Sequence, residues 1–225
     1  MGRGWVFALV ILLGGCNLSH PPKPFADEIA SARPIAKLEQ GQKSQVLFLN
    51  SKQPRIPPSE VPLRAGETVI TGKAGTAQIR FSSLALSRLA SDTRVTLQSI
   101  QSFRLERGSA IVSSPEFWQL ETDFGRVTAK NAVVYVTVRP DRFSHVLVLK
   151  GKAHSFILDS DVKVVLSPGE ELSITPWGIP YKRKKLNNEQ KRQWLQRIKK
   201  EFQFTDRLPT EVVFLEKWQP PPRPP

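Results

Sequence analysis

From about Gln42 to Trp177 the chain alternates apolar and polar residues at period two, with turn signals roughly every ten residues. Ala77, Ile79 and Phe81 fall on one face, with Gln78 and Arg80 on the other. Val95 and Leu97 alternate with Thr96 and Gln98, and Phe103 and Leu105 with Arg104 and Glu106. Val134, Val136 and Val138, then Val146 and Val148, Val162, Val164 and Leu166, and finally Leu172 and Ile174 continue the series. Side chains of a strand point to opposite faces in turn, so this pattern marks strands with one buried side. Turn signals lie at Arg107-Gly108, Gly151, Asp159 to Asp161 and Pro168-Gly169. No helical periodicity intervenes, which argues for an all-β region rather than βαβ units. Two runs, "AVVYVTV" and "HVLVLK", are apolar on both faces. They predict strands buried between two sheets or inside a coil of strands.

The pattern changes after residue 178. Asn187 and Gln190 have the spacing of a capping box. Trp194, Leu195, Ile198 and Phe202 then fall within an arc of roughly 100° at 3.6 residues per turn. Arg192, Lys199 and Lys200 lie opposite, so one C-terminal amphipathic helix is expected, ending before Pro209. "EVVFLEKW", Glu211 to Trp218, reads as a final strand, and "QPPPRPP" (residues 219–225) as a polyproline-type tail. Nine Lys and Arg lie between Lys182 and Lys200 against Glu189 alone. They form either a solvated face or a contact with anionic headgroups or wall polymer, made by Lys182, Arg183, Lys184, Lys185, Lys199 and Lys200.

At the N-terminus, Arg3 precedes nine apolar residues, Trp5 to Leu13. A helical span of a bilayer takes roughly 20, so the run fits the h-region of a secretory signal, residues 1–15. Leu13-Gly14-Gly15-Cys16 follows at once and resembles a bacterial lipobox. The resemblance implies cleavage before Cys16 and acylation of its thiol and new amine, enough chains for stable anchoring. The alternative is a plain signal peptide or an N-terminal anchor with Cys16 incidental. Cys16 is the only cysteine, so an exported domain here relies on its core rather than on disulfides. Residues 16–41 carry Pro21, Pro22, Pro24 and Pro34 and read as a tether, with a short helical piece around Phe25 to Leu38. The chain holds 33 Lys and Arg against 20 Asp and Glu, for a net charge of +13. Such a field favours anionic lipid, wall polymer or nucleic acid, and an export signal removes the last.

"GETVITGKAGTAQIRF", Gly66 to Phe81, invites a phosphate-loop reading. A Walker loop needs two glycines four residues apart, then Lys and Ser or Thr, leading into a helix. Gly72-Lys73-Ala74-Gly75-Thr76 has the wrong spacing and leads into an alternating strand, so a hairpin turn is expected instead. The stretch also resembles the core signature of FecR-type domains. Gly66, Glu67, Val69, Thr71, Gly72, Ala77, Ile79 and Phe81 match it. "FRLERGSAIV" resembles a second unit through Phe103, Leu105 and Gly108, and the closing units are matched by Gly151, Pro168, Gly169 and Glu170. Ser82-Ser83-Leu84 and Val134-Tyr135 depart from the family pattern. The resemblance covers residues 42–178. It implies a mainly β fold, a β-helix-like or double-sheet roll of short strands, and envelope-side binding or sensing without catalysis or cofactor. FecR regulators also carry a cytoplasmic segment that contacts a sigma factor and a membrane span. Neither is legible here, so direct signalling is the alternative rather than the first expectation.

A search for chemistry returns little. His145 and His154 flank Gly151, with Asp159 and Asp161 further on, but no close ligand pair such as His-x-His occurs. There is no nucleophile-elbow motif, and Glu170-Glu171 lie at a turn signal. The expectation is a lipid-anchored, extracytoplasmic module that binds an envelope protein or cell-wall glycan. A wall-acting enzyme without a recognisable motif is the alternative from another class. Residues 179–218 form its basic helical segment.

Overall fold

In a computed structural model of the chain, the described residues are 33–49, 51–57, 60–139, 143–158, 160–175 and 182–202. The signal segment, Leu13, Gly14, Gly15 and Cys16, most of the tether, Glu211 to Trp218 and the Pro-rich tail lie outside them. The strands are β1 (Ala36–Leu47), β2 (Val61–Leu63), β3 (Thr68–Phe81), β4 (Leu86–Leu89), β5 (Arg94–Ser99), β6 (Ser102–Ser114), β7 (Trp118–Thr122), β8 (Gly125–Arg139), β9 (Phe143–Ile157), β10 (Lys163–Leu166), β11 (Glu170–Ile174) and β12 (Lys182–Lys185). One helix, α1 (Asn188–Phe202), follows. The protein is mainly β with a single C-terminal helix. The first strand begins at Ala36, inside the stretch read as tether and as a short helical piece. Its Ala36, Leu38 and Val46 are buried, and pairing to β3 overrides the weak helical signal.

All twelve strands join one sheet, but β1, β3, β6, β8 and β9 each run 12 to 15 residues and bend. Each long strand therefore contributes an arm to two layers. In β8, residues 125–129 pair with β7 and residues 132–138 with β6. In β3, residues 68–70 pair with β5 and residues 77–80 with β4. One layer runs through β2, β1, β3, β4, β6, β8, β9, β11 and β12. The other takes the opposite arms together with β5, β7 and β10. A β-helix stacks parallel strands, whereas the only parallel pair among the described residues is β6–β7. The double-sheet roll is thus the form adopted.

The bends correct one expectation. Gly72 to Gly75, Gly108 and Gly151 read as turns between strands, and each instead lies inside one. Opposite the single residue Lys43, four residues of β3 (72–75) bulge out, and a Cβ on Gly75 would lie 2.8 Å from both the Gln42 and the Lys43 carbonyl oxygens. The stretch is therefore neither a phosphate loop nor a hairpin. Gly108 has φ +89° and Gly151 φ +74°. Across the β8–β9 ladder, Gly151 faces a register shift that leaves Asn131 at φ +48°. Extra residues and positive φ raise local twist and turn a strand, and here they fold one sheet back on itself.

Between the layers lies the main core. It includes Leu38, Val69, Ile79, Leu97, Leu105, Trp118, Val134, Val136, Val148 and Leu172. A second cluster lies on the outside of the first layer, where Leu86, Ile111, Tyr135, Leu147 and Leu149 meet Leu186, Ile198 and Phe202. That explains the two-faced apolar runs. In "AVVYVTV", Val134 and Val136 face the opposite layer while Val133 and Tyr135 face α1.

Candidate functional site: the basic edge and its helix

The glycines and acidic residues that carry the sequence resemblance lie in turns and bends of the strands. Gly66 (φ +84°) and Gly169 (φ +79°) occupy the same position in two equivalent turns. In the first, Arg64 donates its N–H to Glu67 Oε2 at 2.9 Å, and Glu67 N–H returns to the Arg64 carbonyl at 3.2 Å. In the second, Ser167 donates to Glu170 Oε2 at 2.8 Å, and Glu170 N–H returns to the Ser167 carbonyl at 3.0 Å. Pro168 fixes φ in this second turn. The glycine N–H groups reach across to neighbouring strands, Gly66 to Leu97 O and Gly169 to Val148 O. Arg-Ala-Gly-Glu and Ser-Pro-Gly-Glu are thus one device used twice, a repeat that comparison of the two quartets could have revealed. Thr71 donates its hydroxyl to Ala90 O and accepts the Thr93 N–H, which holds the β4–β5 connection against the β3 bulge. Gly72 O accepts from Asp92 N, and Gly108 packs where a Cβ would meet Thr93.

The histidines do not meet. His145 and His154 sit on the two arms of β9, each pointing away from the core shared by the layers, since Val146 and Ala153 point into it. Among the described residues, no group of three or more His, Cys, Asp or Glu side chains forms a metal-holding arrangement.

The basic segment is divided between two elements. Lys182 to Lys185 do not form a loop; they are β12, the outer strand of the helix-bearing layer. Its register pairs Lys185 with Glu170, Lys184 with Glu171, Arg183 with Leu172 and Lys182 with Ser173. Arg183 Nη2 lies 2.9 Å from both carboxylate oxygens of Glu170. Burial works to raise the Glu170 carboxyl, but the Ser167 amide, Arg183 and Lys185 outweigh it and hold it below the usual carboxylate range. Lys182, Lys184 and Lys185 make no ion pair among the described residues. Lys199 and Lys200 are exposed in the last turns of α1, where cations complement the helix dipole.

The expected capping box is present. Asn187 Oδ1 accepts the Gln190 N–H at 2.9 Å, and Gln190 Oε1 accepts the Asn187 N–H at 3.1 Å. Just before it, Leu186 donates its N–H to Gly169 O at 2.9 Å, which sets the helix start against the β10–β11 turn. From there α1 crosses the outer face of the layer. Ile198 and Phe202 are buried, and Trp194 packs beside them.

A polar clasp, which sequence reasoning did not find, fastens this helix. Trp194 donates its indole N–H to Glu171 Oε2 at 3.1 Å. The His145 ring stacks on Trp194 with centroids 5.0 Å apart, and His145 Nε2 lies 3.5 Å from the same Glu171 oxygen. His145 Nδ1 lies 3.0 Å from Ser173 Oγ. His145 is the first cause, and with Trp194 and Lys184 it outweighs burial and holds the Glu171 carboxyl below its ordinary range. Further along the helix, Tyr135 donates its hydroxyl to Glu201 Oε2 at 3.1 Å. Burial, then the Glu201 charge, pushes the phenol up to about 12. Arg197 stacks over Trp194 at 4.8 Å. Between β12 and α1 this leaves an open groove of about 360 Å³, with Glu171, Lys184, Leu186, Gln190, Trp194 and Arg197 among its lining residues. The only sequence signal for the clasp was the alternation that put His145, Leu147 and Tyr135 on outward positions of strands apolar on both faces.

No family model and no curated protein matches the chain. Two crystal structures resemble it, both of a candidate anti-sigma factor from Parabacteroides distasonis. Each aligns with a TM-score of 0.49 and 16% identity over 57% of this chain and 64% of that one. This chain therefore spans less than two thirds of the protein it resembles.

Proposed function

We propose that this chain is a lipid-anchored module of the cell envelope that binds an acidic partner, protein or glycan, at the edge formed by β12 and α1. The carrying observation is β12 itself, an outer strand of four successive basic residues. Lys184 and Arg197 line a groove beside it, and Lys199 and Lys200 extend the charge along the helix. Cationic side chains grouped on one surface steer an anionic partner and weaken as salt rises. Elsewhere in the two layers several charges lie in opposed pairs, Arg80–Glu39, Arg94–Glu106 and Arg104–Asp123 among them. The lipobox residues Leu13 to Cys16 supply the anchor in this reading, and residues 17–35 the reach.

The test is co-sedimentation of the purified chain with isolated envelope polymer and with immobilised acidic protein, at low and physiological salt. The change of Lys182, Lys184, Lys185, Lys199 and Lys200 together to Gln is expected to cut retention at least tenfold without altering the circular dichroism spectrum. Unchanged retention on both materials would sink the reading.

A further inference from the structure

The open side of β12 fits a more specific partner than a diffuse anion. Leu186 donates its N–H to Gly169 O. In an antiparallel ladder a residue turns both backbone groups to the same neighbour, and successive residues alternate. Leu186, Lys184 and Lys182 therefore face β11, and Lys185 and Arg183 face the open edge. No described strand pairs on that side. An extended segment laid there would gain main-chain hydrogen bonds from Lys185 and Arg183, the mode by which peptides add to exposed sheet edges.

We infer that β12 receives an extended acidic segment of a partner protein as a further strand, pairing with the backbone of Arg183 and Lys185 and placing carboxylates against Lys182 and Lys184. This rests on the binding role proposed above and names its partner class. Lysines on an edge strand generally discourage pairing. Their effect depends on sign, however. On a chain of net charge +13 they repel a second copy of the chain and any basic strand, while an acidic strand is drawn in. The neighbouring groove adds selectivity. Side chains alternate along the incoming strand, so those on the helix side meet the charge and amide groups of Lys184, Gln190 and Gln193 beside the apolar surface of Leu186 and Trp194. Arg183 is already held by Glu170, which keeps the strand aligned with its neighbour. An acidic glycan or a lipid surface would use the same charge but not the free backbone groups, and that difference separates the occupants.

The probe is a fluorescent octapeptide of alternating Glu and Val, titrated into the full chain in detergent and followed by anisotropy. Its comparators are a peptide of equal charge interrupted by two prolines, a Lys/Val peptide and anionic vesicles. The Glu/Val peptide is expected to bind at least tenfold more tightly than the proline-interrupted one, and the Lys/Val peptide not to bind. Lys185→Pro removes an outward N–H while leaving the bonds to β11, a placement that proline tolerates on an edge. It is expected to abolish the preference between the two acidic peptides. Lys182→Gln with Lys184→Gln should weaken both alike. Equal binding of the two acidic peptides, or preservation of the preference in Lys185→Pro, overturns the inference while leaving an anion-binding edge. Binding to vesicles or envelope polymer but to no peptide has the same effect. Failure to bind any anionic material overturns the broader reading as well. If peptide binding emerges only after Glu211→Lys and Glu216→Lys, the chain's own C-terminal segment fills the edge and the inference is overturned.

Discussion

Single residues bend this sheet, and their backbone angles say which ones matter. Gly108 and Gly151 lie in the left-handed region, where an L side chain costs about 1–2 kcal/mol. A Cβ at Gly151 would also lie 2.4 Å from the Asn131 carbonyl oxygen, and one at Gly108 would lie 2.5 Å from the Thr93 Cα. Gly72 differs. It has no positive φ, and a Cβ there would lie 3.3 Å from Lys43 O. Gly108→Ala and Gly151→Ala are therefore expected to lose more than about 2 kcal/mol in urea titration, the sum of backbone strain and displaced neighbours. Gly72→Ala should change stability by less than about 1 kcal/mol. Equal losses at all three positions would mean that the bends are not where the sheet is constrained. The sequence marked these glycines correctly as special but misread their purpose. A glycine between two alternating runs looks the same whether the chain reverses or only bulges. What separates the cases is the partner strand: Lys43, with no turn signature, and Asn131, a lone residue that tolerates the left-handed region, adopt φ of +48° at the same bends.

At the scale of the element, α1 is a charged helix held to the sheet by the apolar cluster around Ile198 and Phe202 and by one polar clasp. Glu171 is central, because it accepts from Trp194 and sits beside His145. Its folded-state pKa lies below the ordinary carboxylate value. Docking therefore gains from this carboxylate fully above the unfolded glutamate pKa, and loses that gain as pH falls through the lower folded value. The opposite limb belongs to Tyr135. Its pKa, raised from 10.0 to about 12, gives stability that is complete below the ordinary phenol value and lost as pH climbs through the folded one. The indole N–H resonance of Trp194 is expected to stay at its folded-state position while Glu171 is ionised. It should shift toward the value of an exposed tryptophan as pH falls below the ordinary carboxylate range and Glu171 protonates. Glu171→Gln should remove most of the acid limb, and Tyr135→Phe the alkaline one. An unchanged acid transition in Glu171→Gln would place the acid sensitivity outside the clasp. The helix, its cap and its buried stripe were readable from the sequence because all three are local patterns. The clasp was not readable. Glu171 and His145 lie 23 and 49 residues from Trp194 in the sequence, and only the β9–β11 pairing brings His145 and Glu171 beside the helix.

For the whole molecule, the layers were legible as a class and the connections were not. Period-two alternation groups side chains by face, so Ala77, Ile79 and Phe81, Val95 and Leu97, and Phe103 and Leu105 were set on shared faces from the sequence, and those faces line the core. Alternation carries no information on which strand pairs with which, so the sharing of five long strands between two layers stayed hidden. The basic edge was legible as charge, not as a strand, because four cations in a row have no periodicity. The orientation of that edge in the envelope depends on the anchor proposed at Cys16. A triacylated N-terminus holds the chain at a bilayer far more firmly than a single acyl chain does. Electrostatic attraction between the basic edge and anionic headgroups is the competing source of membrane association, and it decays over about 8–10 Å at physiological salt. The two respond differently to salt. In fractionated cells, the unaltered chain is expected to stay with membranes through a wash of about 1 M salt, where the screening length falls to about 3 Å. Cys16→Ser is expected to appear in the soluble fraction after that wash. The variant with Lys182 to Lys185 changed to Gln should remain with membranes but lose retention on the acidic material proposed as its partner. Retention of Cys16→Ser through the wash would show that residues other than the thiol hold the protein at the membrane. Because the wash screens the basic edge, such retention would point to apolar residues rather than to charge.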